Sequence, residues 1–382
     1  MIIPSTGLPS SLWERRIEFM TIVAGFGIKN IPVILSDLLI SGEENVDRDF
    51  RIPTIGWRTN VFPEGSGYVP IYLLQKISII NKDVAIAWAG TKIYAQNILR
   101  ELKKLSEKEC LSKEYLVDYF NKLNREDKSL INDIQFYGLV ANPVGISSFW
   151  FGGCYFHSRN LGRVTLLGSG YKDIYEYFQS NEELPEQNPK MNDAEYALSY
   201  SLSLTGAMLL SEIKFRGNIL RYFGGGYQIV MFNDGEFQKI GDITFVFWNA
   251  KPNGKKVNLG LIKIIKLSYD NDLMLLQVIS PGGDGPTYSI SNANSGVYFI
   301  PPAEMTAPPD RNISISLPDI NSIYTCHLFA HDSVGKHLDV VTIIDKVVPG
   351  EERHFNIDYT PQSVGISMDD SFWDRIRANI YQ

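Results

Sequence analysis

The chain has 382 residues, 44% of them hydrophobic, and a formal net charge of −7, enough apolar material for one large core and a second, smaller one. The acidic balance and the lack of a Lys/Arg block argue against nucleic acid as the main partner. No apolar run reaches the roughly 18 residues a membrane span needs, which argues against a membrane partner as well.

Residues 1–20 carry Pro4, Pro9, Glu14, Arg15 and Arg16 without an apolar core, so they do not read as a secretory signal. Thr21–Gly27 reads as a strand, Ile28–Pro32 as a turn and Val33–Ile40 as a second strand, with Asp37 inside it. A long polar loop over 42–70, with Pro53, Pro63, Gly65, Gly67 and Pro70, precedes a strand Lys76–Ile80 and another, Val84–Gly90. Apolar residues at 95, 98, 99, 102 and 105 predict a helix over 91–105, and Ser112 caps a second helix through Leu123. Strand patterns return at Ile134–Ala141, Ser148–Phe151 and Arg163–Leu167, and Gly168-Ser169-Gly170 leads into a helical stretch, Tyr171–Phe178.

Asn192 starts a long helix through Ala197, Leu204 and Leu210, followed by strands Tyr227–Phe232 and Glu236–Ile240. Lys251–Lys256 reads as a linker or hairpin turn. Beyond it, strand patterns (Leu259–Leu267, Leu273–Ile279, Val297–Ile300, Val340–Ile344, His354–Tyr359) alternate with Pro/Gly loops and end in a short helix near Phe372–Ile380. Cys110, Cys154 and Cys326 are far apart and odd in number, which suits a reducing cytoplasm. Cys326, His327, His331, Asp332, His337 and Asp339 gather late in the chain, but their spacing fits no tight zinc pattern, and neither metal nor cofactor is expected.

The chemistry lies in an ordered set: Thr21 at a strand start, Asp37 after it, Lys76 opening the third strand, and Gly90 ending the Ala-Gly strand. Singly these are ordinary residues. A threonine opens many strands, an aspartate at a strand end usually caps a turn, and a lysine before an apolar run is usually a solvated edge residue adding little stability. Together, with their spacings, they resemble the catalytic strands of proteasome β-subunits and their simpler bacterial relatives, which are N-terminal-nucleophile (Ntn) hydrolases.

That resemblance covers roughly residues 21–250 and is strongest over 21–105. It implies a four-layer αββα Ntn-hydrolase sandwich, with residues 251–382 as a β-rich extension of unknown role. It also implies Thr21 as the nucleophile and its freed α-amine as the base, since a hydroxyl needs a base and an α-amine titrates near pH 7.7–8.0. Lys76 and Asp37 would tune that pair, the Gly90 N–H would receive the oxyanion, and Ser169 would assist. The plain alternative for Ser169 is a helix cap. By the same resemblance Trp88 floors a shallow apolar specificity pocket with Ile40 and Leu74 near its walls; its plain alternative is core. The 42–70 loop would emerge beside the cleft as a lid, a specificity element or an intersubunit contact.

Two features depart from the family. Where many relatives carry an Asp and a Ser before a Gly-Gly, this chain has Leu220 and Phe223 before Gly224-Gly225-Gly226. The run lacks a following Lys-Ser/Thr, so it reads as a glycine turn and not as a phosphate loop. An Ntn enzyme also needs Thr21 as its first residue, whereas Met20 precedes it and the family cleaves after glycine.

Residues 1–20 are then an unusual propeptide, part of an inactive scaffold, or a leader upstream of a true start at Met20. For the last, Glu14-Arg15-Arg16 can be encoded with AAGGAG, a bacterial ribosome-binding signal, and methionine aminopeptidase removes Met before threonine. Three functions follow: a threonine peptidase acting on peptides or unfolded protein, a non-catalytic scaffold or recognition subunit, and an Ntn amidase on a small molecule. A ring-like or helical homo-oligomer is expected, with an ATP-dependent unfoldase as a partner left open.

Overall fold

A computed structural model of the chain describes residues 21–43, 51–56, 61–180, 184, 187–253, 256–281, 289–291, 294–305, 319–332, 338–347, 352–360 and 363–380. Strands β1 (Val23–Ile28) and β2 (Ile31–Asp37) form a hairpin. Its turn residues, Lys29 and Asn30, have φ of 51° and 67°, the hand that matches strand twist. β3 (Leu39–Glu43) pairs with β4 (Tyr68–Leu73), so both ends of the expected 42–70 loop are strand. Ile52, Val61 and Phe62 between them are buried in the main core.

β5 (Ile77–Asn81) and β6 (Val84–Gly90) lead into α1 (Lys92–Ser106) and α2 (Lys113–Glu126). Each of these helices buries one stripe: Ala95, Ile98, Leu99 and Leu102 in α1, Leu116 and Phe120 in α2. The short α3 (Leu130–Asp133) precedes β7 (Ile134–Asn142) and β8 (Gly145–Phe151). β9 (Cys154–Ser158), absent from the sequence reading, pairs with β10 (Gly162–Leu167). α4 (Tyr171–Ser180) and α5 (Asp193–Phe215) follow, then β11 (Tyr227–Asn233) and β12 (Glu236–Lys239). α5 opens on a capping box between Asn192 and Glu195.

Two antiparallel sheets result, ordered β12-β11-β2-β1-β10-β9 and β5-β6-β7-β8. They face each other across an apolar layer of Val23, Ile34, Ile77, Ala85, Ala87 and Leu139. α1 and α2 lie against the second sheet, and α4 and α5 against the first.

The chain continues as β13 (Ile243–Asn253), β14 (Lys256–Asp270), β15 (Leu273–Ser280), β16 (Ser289–Ser291), β17 (Asn294–Ile300), β18 (Tyr324–Asp332) and β19 (Leu338–Lys346). It closes with β20 (Phe355–Thr360), β21 (Ser363–Met368) and α6 (Asp370–Ile380). Another six-stranded sheet, β17-β15-β14-β13-β18-β19, is mixed, because β13 and β18 run parallel.

Among the described residues strand makes up 47% and helix 26%, in five sheets, so the architecture is not the four-layer αββα sandwich expected from the sequence. The reason is α5. It buries Tyr196, Leu198, Leu202, Leu204, Met208 and Leu209 on every side, and a helix apolar all round must be covered all round. The mixed sheet supplies that second cover, and one core runs from Ile22 and Phe26 through α5 to Phe245, Phe247 and Leu328. Residue 250 accordingly falls inside β13. The far face of the mixed sheet carries its own core, with Trp248, Phe329, Phe355 and Phe372, under the three-stranded β16-β21-β20 sheet and α6. Among the described residues no helix is long and apolar enough to cross a membrane.

Candidate functional site

Three of the predicted residues meet at one end of the facing sheets. Thr21 precedes β1, Asp37 ends β2 beside it, and Lys76 precedes β5 in the opposite sheet. Thr21 Oγ1 donates to Asp37 Oδ1 at 2.7 Å. The Lys76 ammonium donates to Thr21 Oγ1, to Asp37 Oδ1 at 2.7 Å and to Leu39 O at 2.7 Å, so all three of its donors are used. Asp37 also accepts from Ile22 N (2.9 Å), Leu39 N (3.2 Å) and Gly224 N (3.0 Å). Lys76 and Asp37 are both 0% exposed, and Thr21 is 3% exposed. Burial holds the Lys76 ammonium below its ordinary pKa, against the opposing pull of Asp37. Lys76 is therefore not the solvated edge residue the sequence pattern suggested; its strand end is roofed by the opposite sheet.

The Gly168–Gly170 turn closes on the same threonine. Gly170 N donates to Thr21 O at 3.2 Å, and Gly168 N to Gln135 Oε1 at 2.9 Å. Gly168 has φ +85°, and a Cβ there would lie 2.2 Å from Thr21 O, so only glycine permits this approach. The buried Ser169 hydroxyl has no hydrogen-bond partner among the described residues. Gly90 ends β6; Trp88 N, two residues back, donates to Lys76 O at 3.0 Å, and the Gly90 N–H lies along that same strand edge.

Trp88, Leu74 and Ile40 do come together, in the apolar cluster beneath α1 and α2. Trp88 is 0% exposed, and its indole N–H is buried without a partner among the described residues.

Sequence reasoning missed a second polar centre. Glu212, on α5, is fully buried; its carboxylate accepts from Thr54 Oγ1 (2.8 Å), Gly225 N (3.0 Å) and Tyr227 OH (2.6 Å). Asn218 Nδ2 donates to the same Tyr227 hydroxyl at 2.8 Å. Burial pushes the Glu212 carboxyl up to about 7, opposed by its hydrogen bonds and reinforced by the charge of Asp37. Lys263, on β14, donates to Thr54 O and is lowered to about 8 by its own burial. A glutamate well inside α5, among buried apolar residues and far from the acidic first turn, was the available signal. The Gly224–Gly226 run, read as a plain turn, in fact grips both acids: Gly224 N holds Asp37 and Gly225 N holds Glu212. Phe223 is buried against Gly170, whereas Leu220 is exposed.

The late cysteine–histidine cluster divides. Cys326 faces α5, its thiol 3.9 Å from Leu202 O, while His327 faces Phe355 and Phe372 on the other side of β18. Successive residues of one strand cannot share an ion, and Trp248 Nε1 donates to His327 Nδ1 at 3.4 Å. His337 lies outside the described residues. A groove of about 1090 Å³, lined by Lys29, Arg159, Arg163 and Tyr137, opens at the end of the two sheets opposite Thr21.

No family model matches the sequence, and no curated protein matches it.

Proposed function

We propose that the chain is a threonine peptidase, with Thr21 as nucleophile once its nitrogen is freed from Met20. The observation that carries this reading is the buried hydrogen-bond chain from Lys76 to Thr21 Oγ1 to Asp37. A buried Lys–Asp pair alone is weak evidence of function. Here a hydroxyl is bonded to both members of the pair, next to a turn that only glycine allows.

In the reaction, the freed Thr21 amine takes the hydroxyl proton as Oγ1 attacks the peptide carbonyl. Lys76 lowers the hydroxyl's hold on that proton, and Asp37 keeps Lys76 in place. The Gly90 N–H stabilises the oxyanion, and the Ser169 hydroxyl, without a partner among the described residues, steadies the amine and the hydrolytic water. In the chain as written, the Thr21 nitrogen is an amide and cannot serve as base. Removal of Met20 is thus the activating step. Intact-mass measurement of the natively expressed protein, paired with fluorogenic peptide turnover by wild type and Thr21→Ala, tests the reading. A chain starting at Thr21 whose turnover vanishes in the variant supports it; turnover that survives Thr21→Ala overturns it.

One observation favours a second reading, a non-catalytic scaffold or recognition subunit: Thr21 is 3% exposed and Trp88 0%, leaving little access for a carbonyl. A native chain starting at Met1 with no turnover selects it. Under either reading we place the chain in the cytoplasm, on the strength of its free cysteines. Peptide or unfolded protein is the substrate class and a homo-oligomer the working form. Exposed Ile93 and Val117 on α1 and α2 offer apolar surface for assembly.

A further inference from the structure

The two polar centres share one short backbone segment. Gly224 N donates to Asp37 Oδ2 and Gly225 N to Glu212 Oε2, each at 3.0 Å. Gly224 O in turn accepts from Leu39 N at 3.0 Å, and Leu39 O accepts from Lys76. The turn therefore holds both the carboxylate and the carbonyl that orient Lys76. Gly224 has φ +125°, and a Cβ there would lie 2.4 Å from Glu212 Oε1, so the acid is packed directly on the turn.

Glu212 also reaches outward. Thr54, between β3 and β4, donates its hydroxyl to Glu212 and receives Lys263 of the mixed sheet on its carbonyl. The three hydrogen bonds that the Glu212 carboxylate accepts come from different parts of the chain: Thr54, the glycine turn, and β11 through Tyr227. Buried side chains that collect donors in this way rigidify what they touch.

We propose that Glu212 is a positioning residue for the Thr21 centre: its carboxylate fixes the Gly224–Gly225 turn that orients Asp37 and Lys76, and ties that turn to the 51–56 segment and to Lys263. The proposal rests on the reading of Thr21 as nucleophile for its kinetic consequence, and on geometry alone for the coupling of Glu212 to Asp37. The charged and titratable groups facing Glu212 are Asp37 from β2, Tyr227 from β11 and Lys263 from β14. With its carboxyl raised to about 7, Glu212 gains a proton as the pH falls below neutrality and loses acceptor capacity toward the turn.

The test uses the full chain with Glu212→Gln, which keeps one acceptor oxygen, and Glu212→Leu, which keeps the bulk and removes every acceptor. Turnover of a fluorogenic peptide is followed from acid to alkaline pH. Glu212→Leu is expected to lower kcat roughly tenfold or more with KM nearly unchanged, and Glu212→Gln, the neutral analogue of the protonated acid, to recover only part of that loss. The acid limb of the wild-type profile should steepen toward two protons, from the amine and Glu212, and relax to one proton in Glu212→Gln.

A second measurement does not need activity. Unfolding of Glu212→Gln, Asp37→Asn and the double variant forms a cycle, and coupled residues depart from additivity by roughly threefold or more in the unfolding constant. Additive effects overturn the proposal, as does Glu212→Leu with wild-type kcat and an unchanged acid limb; neither result touches the nucleophile reading. A coupled cycle without any turnover in wild type sinks the nucleophile reading and leaves the link from Glu212 to Asp37 standing.

Discussion

Lys76 Nζ lies 2.7 Å from Asp37 Oδ1, with both side chains fully shut off from solvent. Lys76→Ala would leave the Asp37 carboxylate buried without its cation, which typically costs about 3–5 kcal/mol. The variant should therefore lose stability as well as turnover, contrary to what a strand-end lysine suggests in the sequence. Adding Asp37→Asn removes the stranded charge and should recover part of the lost stability, without restoring peptide hydrolysis. Denaturant unfolding of wild type and the two variants measures this; an unchanged midpoint in Lys76→Ala would mean the pair contributes nothing.

The raised carboxyl of Glu212 sets a pH dependence of stability whose sign can be worked out. Folded Glu212 keeps its proton up to about 7, whereas its ordinary value is 4.5. Between those values the folded state binds one proton more than the unfolded state, so stability falls as pH rises through the window. The total is on the order of 3 kcal/mol if Glu212 acts alone, at 1.36 kcal/mol per pKa unit. Glu212→Gln should flatten that part of the unfolding profile between pH 4.5 and 7. A slope that survives the substitution assigns it to another group.

Trp88 carries a prediction with two readouts. If its indole floors the specificity pocket, wild type should cut after small apolar residues and reject Phe, Tyr and Arg, and Trp88→Ala should admit larger side chains. Because Trp88 is 0% exposed, truncation should also cost about 3–5 kcal/mol. Trp88→Phe keeps much of the volume and removes an N–H that has no partner among the described residues, so it should be far less costly. A peptide library profile and thermal unfolding separate the two roles. A wild type that cuts best after Phe or Tyr removes Trp88 from specificity.

Gly168→Ala places a methyl group 2.2 Å from Thr21 O at a backbone angle that alanine resists. Strain of this kind costs about 1–3 kcal/mol, and it is relieved only by moving Thr21. Turnover should fall more than stability does. Equal losses in both would make the turn a purely structural element.

Assembly is tested at the outer helices. Ile93 is 56% and Val117 36% exposed on α1 and α2. Light scattering at micromolar concentration should find an oligomer, and Ile93→Lys with Val117→Lys should shift it toward monomer. A wild-type monomer at that concentration removes these faces from any stable interface.

Much of the local structure was legible because it rests on nearest neighbours in the chain. Short apolar runs marked β1, β2, β6 and β7, the apolar stripe of α1 marked that helix, and Asn192 marked the start of α5. The order Thr21, Asp37, Lys76 named three side chains that do meet. Their meeting depends on two strand ends from facing sheets, however, and burial then turned an apparent edge lysine into a fully enclosed ion-pair partner.

The layering was decided only by tertiary packing. Seen in sequence, α5 is a long apolar helix; that both of its sides are covered follows from a sheet formed by residues that come later in the chain. Glu212 was likewise invisible as a partner of the glycine turn, because Thr54, Gly225 and Tyr227 approach it from separate segments. Periodicity and capping act over a few residues and can be read along the chain. Desolvation, and the hydrogen bonds that make it tolerable, depend on what packs around a group, and only the folded chain settles that.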